Sequence, residues 1–292
     1  MRLVLLGDIH AHRLLVPPWR LLSKRLLGQM NLWLRRRYRF DLRLLRPVVE
    51  RAAGLNPDLV LLSGDLSSTA LEGEFDDVKE ALAPLISKIP SLLVAGNHDR
   101  YTFRSARRRT IEEAFVSVVP AQFPHVQRLD ERWTLLTLDA AVPRLVSSRG
   151  RLGSAQMREA STTMQQLTSE QGLVVLCHYP FAAPEGIRMP WVHGLDEVAA
   201  LRDLLADCRA KIIYMHGHIH RSWHWRPTDP RHAHVIDINA GSPTLCATPD
   251  RAGHGFWQID LAADAAAPPV AIRHEPTTPE AGQSDWRTQT FR

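Results

Sequence analysis

Cysteine is scarce in this 292-residue chain: there are three, Cys177, Cys208 and Cys246, and no two have C-x-x-C spacing. An odd number without metal-type spacing argues against a disulfide framework or a thiolate zinc site. It fits a reduced, cytosolic-type protein in which each cysteine serves as a small buried hydrophobe. Also missing is any apolar run long enough for a membrane helix. The opening MRLVLLGDIH holds only the short run LVLL and no small-residue cleavage site, so it reads as a first buried strand and not as a signal peptide. No repeat of solenoid period and no low-complexity linker interrupts the chain. The composition is otherwise that of a globular protein, 45% hydrophobic and 23% charged. A chain of this length buries a core unaided, so a bound metal would serve catalysis and not folding.

Acids are nearly missing from one stretch. Residues 13–51 hold eleven Lys/Arg against two acids, a net of +9; the remainder, 25 cations against 29 acids, carries −4. A mildly acidic body with one basic segment points to a polyanionic or membrane-surface partner.

Short runs of Leu, Val and Ile, each closed by a polar cluster, predict buried strands: RLVLLGDIH (2–10), PDLVLLSGD (57–65), PSLLVAGNHD (90–99), QGLVVLCHYP (171–180) and AKIIYMHGHIH (210–220). Helical patterns over 41–54, 75–87, 110–119, 153–170 and 194–208 separate them. Later strands, at 133–139, 234–241, 255–261 and 269–274, come without clear helices, so the architecture is α/β with mixed sheets. We expect a single domain over 1–274 carrying a basic insertion at 13–46, and a loose tail over 275–292.

Each early strand ends in metal-compatible side chains: Asp8 and His10, Asp65, Asn97 and His98, His178, then His218 and His220. In open α/β sheets, functional groups gather at the carboxyl ends of strands. Residues two apart on extended backbone share a face, and Gly7, Gly64, Gly96 and Gly217 would let the chain turn close to an ion. A lone Asp or His after a strand is usually a cap or turn residue. Coincidence at five places makes a metal site the stronger reading. His216 is expected to be a packing residue, and strand alternation points Cys177 away from the cluster.

The ordered series D-x-H (Asp8, His10), G-D (Gly64, Asp65), G-N-H-D (Gly96 to Asp99), H (His178) and G-H-x-H (Gly217 to His220) resembles the calcineurin-like metallophosphoesterase family. The resemblance covers residues 7–220 and implies a four-layer α/β-β/α sandwich around a binuclear metal centre. It implies that Asp8, His10, Asp65 and His220 hold one ion, that Asp65 bridges, and that Asn97, His178 and His218 complete the other. Two divalent ions, Mn first and Fe, Zn, Co or Ni as alternatives, suit these oxygen and nitrogen donors. A bridging hydroxide would then attack a phosphodiester or pyrophosphate in line. His98 is expected to protonate the leaving oxygen, with Asp99 orienting its ring. Arg100 and Arg104 could grip a substrate phosphate, or form a solvated loop and helix start; His193 could face the substrate.

The insertion PPWRLLSKRLLGQMNLWLRRRYRF (17–40) places Trp19, Leu22, Leu26, Met30 and Trp33 on one helical face, widened by Leu27 and Leu34. Arg20, Lys24 and Arg35 fall opposite, and Arg25 and Arg36 flank the face. A core-packing helix competes here with an interfacial helix on an anionic membrane, or a lid for a lipid substrate. Nucleic acid fits less well, because the basic charge is localised and backed by an apolar face. With HGHIHR and NAGSPT, the insertion resembles bacterial members acting at membranes, such as UDP-diacylglucosamine pyrophosphatases. That resemblance implies a cytoplasmic enzyme peripheral to the inner face of the membrane, with a lipid-linked phosphoester as substrate. A cyclic-nucleotide or other small-molecule phosphodiesterase is the alternative, and a non-catalytic scaffold of the same fold the third reading.

Overall fold

Alternation within the first strand sets the layering. In β1 (Arg2–Leu6), Leu3 and Leu5 enter one buried cluster while Val4 and Leu6 enter another. The strand is therefore covered on both faces, as its uninterrupted apolar run requires. The computed structural model describes residues 1–14, 25–34, 38–246, 255–262, 267–277 and 286–292.

β1 lies parallel to β2 (Leu59–Leu62), which lies parallel to β3 (Ser91–Leu93). On its other side β1 meets β10 (Phe256–Asp260), then β11 (Val270–Pro276) and β12 (Trp286–Phe291), all antiparallel. The second sheet runs β4 (His125–Arg128), β5 (Trp133–Leu138), β6 (Gly172–Cys177), β7 (Lys211–His216), β9 (Val235–Ala240), β8 (Ser222–Trp225). Its inner strands β5, β6, β7 and β9 are parallel, and β4 and β8 are antiparallel edges. Leu3, Leu5, Leu61, Val174, Leu176, Ile213 and Met215 form the layer between the two sheets. Outside the first sheet lie α2 (Leu45–Gly54), α3 (Glu72–Ile86) and α5 (Thr110–Ala114), through Val48, Val49, Phe75, Val78, Leu82 and Ile111. Outside the second lie α6 (Gly153–Gln165) and α7 (Val198–Asp207), through Ala160, Met164, Leu201 and Leu205. These are the four expected layers.

Three strands were not expected. β4, β8 and β12 are edges, and an edge strand needs a partner on one side only, so it lacks the apolar signature. β12 corrects the expectation of a loose tail: Trp286–Phe291 pairs with Ala271–Pro276 although its central four residues are exposed. The helix expected over 110–119 stops at Ala114.

The insertion departs most from expectation. Its helix among the described residues, α1 (Arg25–Leu34), turns its polar side inward. Arg25 is buried and donates from Nε to the Thr69 carbonyl (3.0 Å) and from Nη2 to the Ala70 carbonyl (2.7 Å). Gln29, also buried, donates to the Arg13 carbonyl (3.1 Å). Leu26, Met30 and Leu34, one turn apart, are 48%, 53% and 59% exposed. For these residues the core-packing reading fails, and Arg25 does not flank an apolar face but anchors the helix. Trp19, Leu22, Arg20, Lys24, Arg35 and Arg36, and the side chains of Leu27 and Trp33, lie outside the described residues.

Candidate metal centre

Parallel β1, β2 and β3 in one sheet, and β6 and β7 in the other, deliver their carboxyl ends to one cleft. The backbone there is not extended. Asp8, His10, Asp65, His218 and His220 all have positive φ, between +52° and +74°. Asp and His tolerate this region better than most residues, yet each such residue costs about 1–3 kcal/mol. So the spacing of two works through left-handed residues, and not through a shared strand face. Main-chain bonds lock the turns together: Asp8 N to Gly64 O (2.9 Å), His10 N to Asp65 O (2.9 Å), and Gly217 N to His178 O (3.1 Å). Gly217 is required for clearance, and not for a turn: a Cβ there would lie 2.6 Å from Asp8 Oδ2.

Seven side chains converge. Donor atoms of Asp8, His10, Asp65 and His220 lie within 4.8 Å of one another, as do those of Asp65, His178 and His218, so Asp65 belongs to both sets. His10 Nε2 is 2.8 Å from His220 Nε2, and His178 Nε2 is 3.2 Å from His218 Nδ1 and 3.3 Å from Asn97 Oδ1. The other ring nitrogens fix tautomers. His178 Nδ1 donates to the Ser63 carbonyl (2.7 Å) and His218 Nε2 to the His193 carbonyl (2.9 Å), which leaves lone pairs on the inward nitrogens. Asp8 Oδ2 is buried without a hydrogen-bond partner. An orphaned carboxylate oxygen beside converging imidazole lone pairs fits divalent cations. The donor set of imidazoles, carboxylates and one amide, shared through Asp65, is that of a binuclear site.

Electrostatics agree. Burial would raise Asp65, but the imidazoles of His178, His98 and His10 outweigh it and hold this carboxyl well below its ordinary range. Burial pushes Asp8 well above its own range. Burial would also lower His178, yet the Asp65 carboxylate raises it to about 9. Burial, then the neighbouring His178, keeps His218 well below an ordinary histidine. Cation binding would compete with protons for these donors. Cys177 faces the outer core of the second sheet, and burial lifts its thiol to about 11.

The residues around the cluster need more correction. Asp99 does not orient the His98 ring: its carboxylate accepts from Gly96 N and Ser67 N (both 2.9 Å) and brings the loop together. Burial, then the Asp65 charge, raises Asp99 to about 7. The His98 ring is held instead by the Ser68 carbonyl, 2.7 Å from Nδ1, and the His98 amide donates to Asp65 Oδ1 (2.7 Å). Arg100 is turned away from a substrate: its guanidinium binds Asp139 (2.6 Å), Glu112 (2.8 Å) and the Ala141 carbonyl (2.9 Å). Arg104 is exposed on α4 (Phe103–Arg107). His193 offers its carbonyl to His218, while its ring Nδ1 meets the Ser148 hydroxyl. His216 is more than packing: its Nε2 lies 2.8 Å from Asp237 Oδ1 in a fully buried pair behind the Gly217 turn.

Sequence reasoning missed Phe40, whose ring packs on His10 (4.5 Å between centroids) and His220 (5.3 Å). It missed Glu74, whose buried carboxylate accepts from Thr69 N (2.9 Å) and Leu71 N (3.2 Å) and braces the Ser68 loop. It missed Tyr101, stacked on His98. Main-chain acceptors such as Ser68 leave no trace in residue type. Tyr101, two residues beyond G-N-H-D, was legible as an aromatic near the cleft.

A four-layer fold with a shared-carboxylate cluster at its strand ends is an arrangement suited to holding two divalent cations. Residues 1–222 match the family described as Calcineurin-like phosphoesterase, and the chain belongs to it. A probable cyclic nucleotide phosphodiesterase of Synechococcus sp. is 25% identical over 171 residues, 58% of this chain and 60% of that protein. The chain thus spans three fifths of that relative's length. Among solved structures, a dimetal phosphatase from Danio rerio matches with a TM-score of 0.63 at 14% identity, over 100% of this chain and 99% of its own. A purple acid phosphatase from yellow lupin matches at 0.58 and 14% identity, over 98% of this chain and 53% of its own. At such identities these likenesses speak to the fold.

Proposed function

We propose that this hydrolase cleaves a phosphodiester or pyrophosphate bond in a lipid-linked substrate, such as UDP-diacylglucosamine, while docked on an anionic membrane surface. The observation that carries the reading is the outward face of α1, Leu26, Met30 and Leu34, within a segment of net charge +9. An exposed apolar stripe among cations suits the headgroup boundary of an anionic leaflet, as on the cytoplasmic side of a membrane. Among the described residues no helix is long and apolar enough to cross a membrane; the attachment we propose is peripheral.

Asp8, His10, Asp65 and His220 would hold one divalent ion, and Asp65, Asn97, His178 and His218 the other, Mn first among the candidates. Bound there, the ions supply Lewis-acid polarisation of the phosphoryl group and an acidified water. The chain itself supplies position and a proton. His98 donates Nδ1–H to the Ser68 carbonyl, and a proton on Nε2 would be the one delivered to the leaving oxygen. Arg104, exposed on α4, is one of the cations that a substrate phosphate would meet.

A second reading, hydrolysis of a cyclic nucleotide or other small diester, is favoured by the Synechococcus relative. The metal-loaded enzyme should be given UDP-diacylglucosamine, cyclic AMP and a bis-aryl phosphodiester, with and without anionic vesicles. Preference for the lipid nucleotide, raised by vesicles, supports the first reading. Turnover of the soluble esters alone, indifferent to vesicles, overturns it in favour of the second.

A further inference from the structure

The His98 ring is fixed at Nδ1 by the Ser68 carbonyl, 2.7 Å away. Two walls flank it. The His10 ring stands edge-on at 4.9 Å and 82°, and the Tyr101 ring lies nearly parallel at 5.5 Å and 12°. Tyr101 is itself backed by the insertion. A Cβ at Gly28, within α1, would lie 2.7 Å from Tyr101 Oη and 3.0 Å from its Cε1 and Cζ. Glycine inside a helix costs about 1 kcal/mol relative to alanine, so the close approach explains a residue that helix propensity disfavours. The same helix grips the loop that bears the acceptor: Arg25 donates to Thr69 and Ala70, the two carbonyls after Ser68. One element therefore touches Tyr101 and the loop that carries Ser68.

We infer that Tyr101 is a positioning residue for His98, pressed against it by Gly28 of the insertion helix. The inference rests on the reading of His98 as the proton donor to the leaving oxygen. It gives the insertion a second task, to hold the proton donor in line, whatever its outer face meets. The relevant part of Tyr101 is its ring, because the ring face is what meets the imidazole.

The test uses soluble bis-aryl phosphodiesters whose leaving phenols span a range of pKa, with metal-loaded enzyme and no vesicles, so that the membrane reading is not engaged. Tyr101→Leu is expected to lower kcat by about 10²-fold on the poorest leaving group with KM nearly unchanged. The deficit should shrink as the phenol becomes more acidic, following His98→Ala, and should vanish when His98→Ala is already present. Tyr101→Phe should keep wild-type turnover. Gly28→Leu should resemble Tyr101→Leu, with Gly28→Ala as the milder substitute if the larger side chain prevents folding. Independently of turnover, the His98 ring protons of the metal-free protein should move in the NMR spectrum of Tyr101→Leu and stay in that of Tyr101→Phe. A deficit equal for every leaving group, or additive with His98→Ala, or unmoved His98 resonances, overturns the inference. If His98→Ala itself shows no leaving-group dependence, the proton-donor reading falls; the ring resonances then decide alone whether Tyr101 positions His98.

Discussion

The metal cluster and the insertion helix invert the usual partition of side chains in opposite ways. The cluster buries charge: Asp8, His10, Asp65 and His178 are each no more than 1% exposed, and several stand on left-handed backbone. Helix α1 exposes oil: Leu26, Met30 and Leu34 face out while Arg25 and Gln29 face in. Each arrangement sacrifices stability. Full burial of each apolar side chain would contribute about 1.5–3 kcal/mol, of which half-exposed α1 forgoes roughly half, and the strained turns cost about 1–3 kcal/mol each. Local rules broken without local compensation mark sites whose compensation comes from outside the chain. For the cluster that is a pair of cations. For α1 we have proposed a lipid surface.

Four substitutions test the contrast, from the largest effect to the smallest. Asp65→Ala should remove both ions and lower turnover at least about 10³-fold, since the two ions' charge stabilisation amounts to several kcal/mol; metal analysis that still finds two tight ions would break the shared-ligand reading. The triple change Leu26→Glu, Met30→Glu, Leu34→Glu should lower partitioning onto anionic vesicles at least about 10²-fold. Its effect on unfolding should stay near the ±0.5 kcal/mol per site of ordinary surface changes. A loss of about 2–5 kcal/mol per site in urea melts would instead make α1 a core helix. Gly217→Ala should weaken metal affinity about 10- to 100-fold, because the added methyl displaces Asp8; calorimetry showing unchanged affinity would mean that the turn relaxes freely. Arg25→Met should destabilise the fold by about 1–3 kcal/mol, through two buried carbonyls left without their donor; an unchanged melt would show that α1 does not depend on its polar anchor.

The same contrast separates what was legible from what was not. Apolar runs betrayed every central strand, because a strand covered on both faces has no choice of residue type. Edge strands β4, β8 and β12 were hidden by their polar sides. In the cluster, residue type announced Asp8, His10, Asp65, Asn97, His178, His218 and His220, since few side chains can offer a lone pair to an ion. The supports around them were silent: the Ser68 and Ser63 carbonyls are main-chain atoms that any sequence has. Arg100 misled because an arginine near an active site and an arginine in a buried ion pair look identical in one dimension. The amphipathicity of α1 was plain, but periodicity is symmetric: it separates two faces and does not say which one meets the protein.

By itself, then, the sequence determined the layered α/β class, the strand ends that carry chemistry and the donor set, because hydrophobic periodicity and lone-pair chemistry are properties of residue types in order. Tertiary structure alone decided which way α1 faces, that Ser68 and Tyr101 hold His98 while Asp99 holds the loop, and that Gly217 provides clearance for Asp8. Most of those relations join segments tens to hundreds of residues apart, and only the packed chain sets the distances on which they depend.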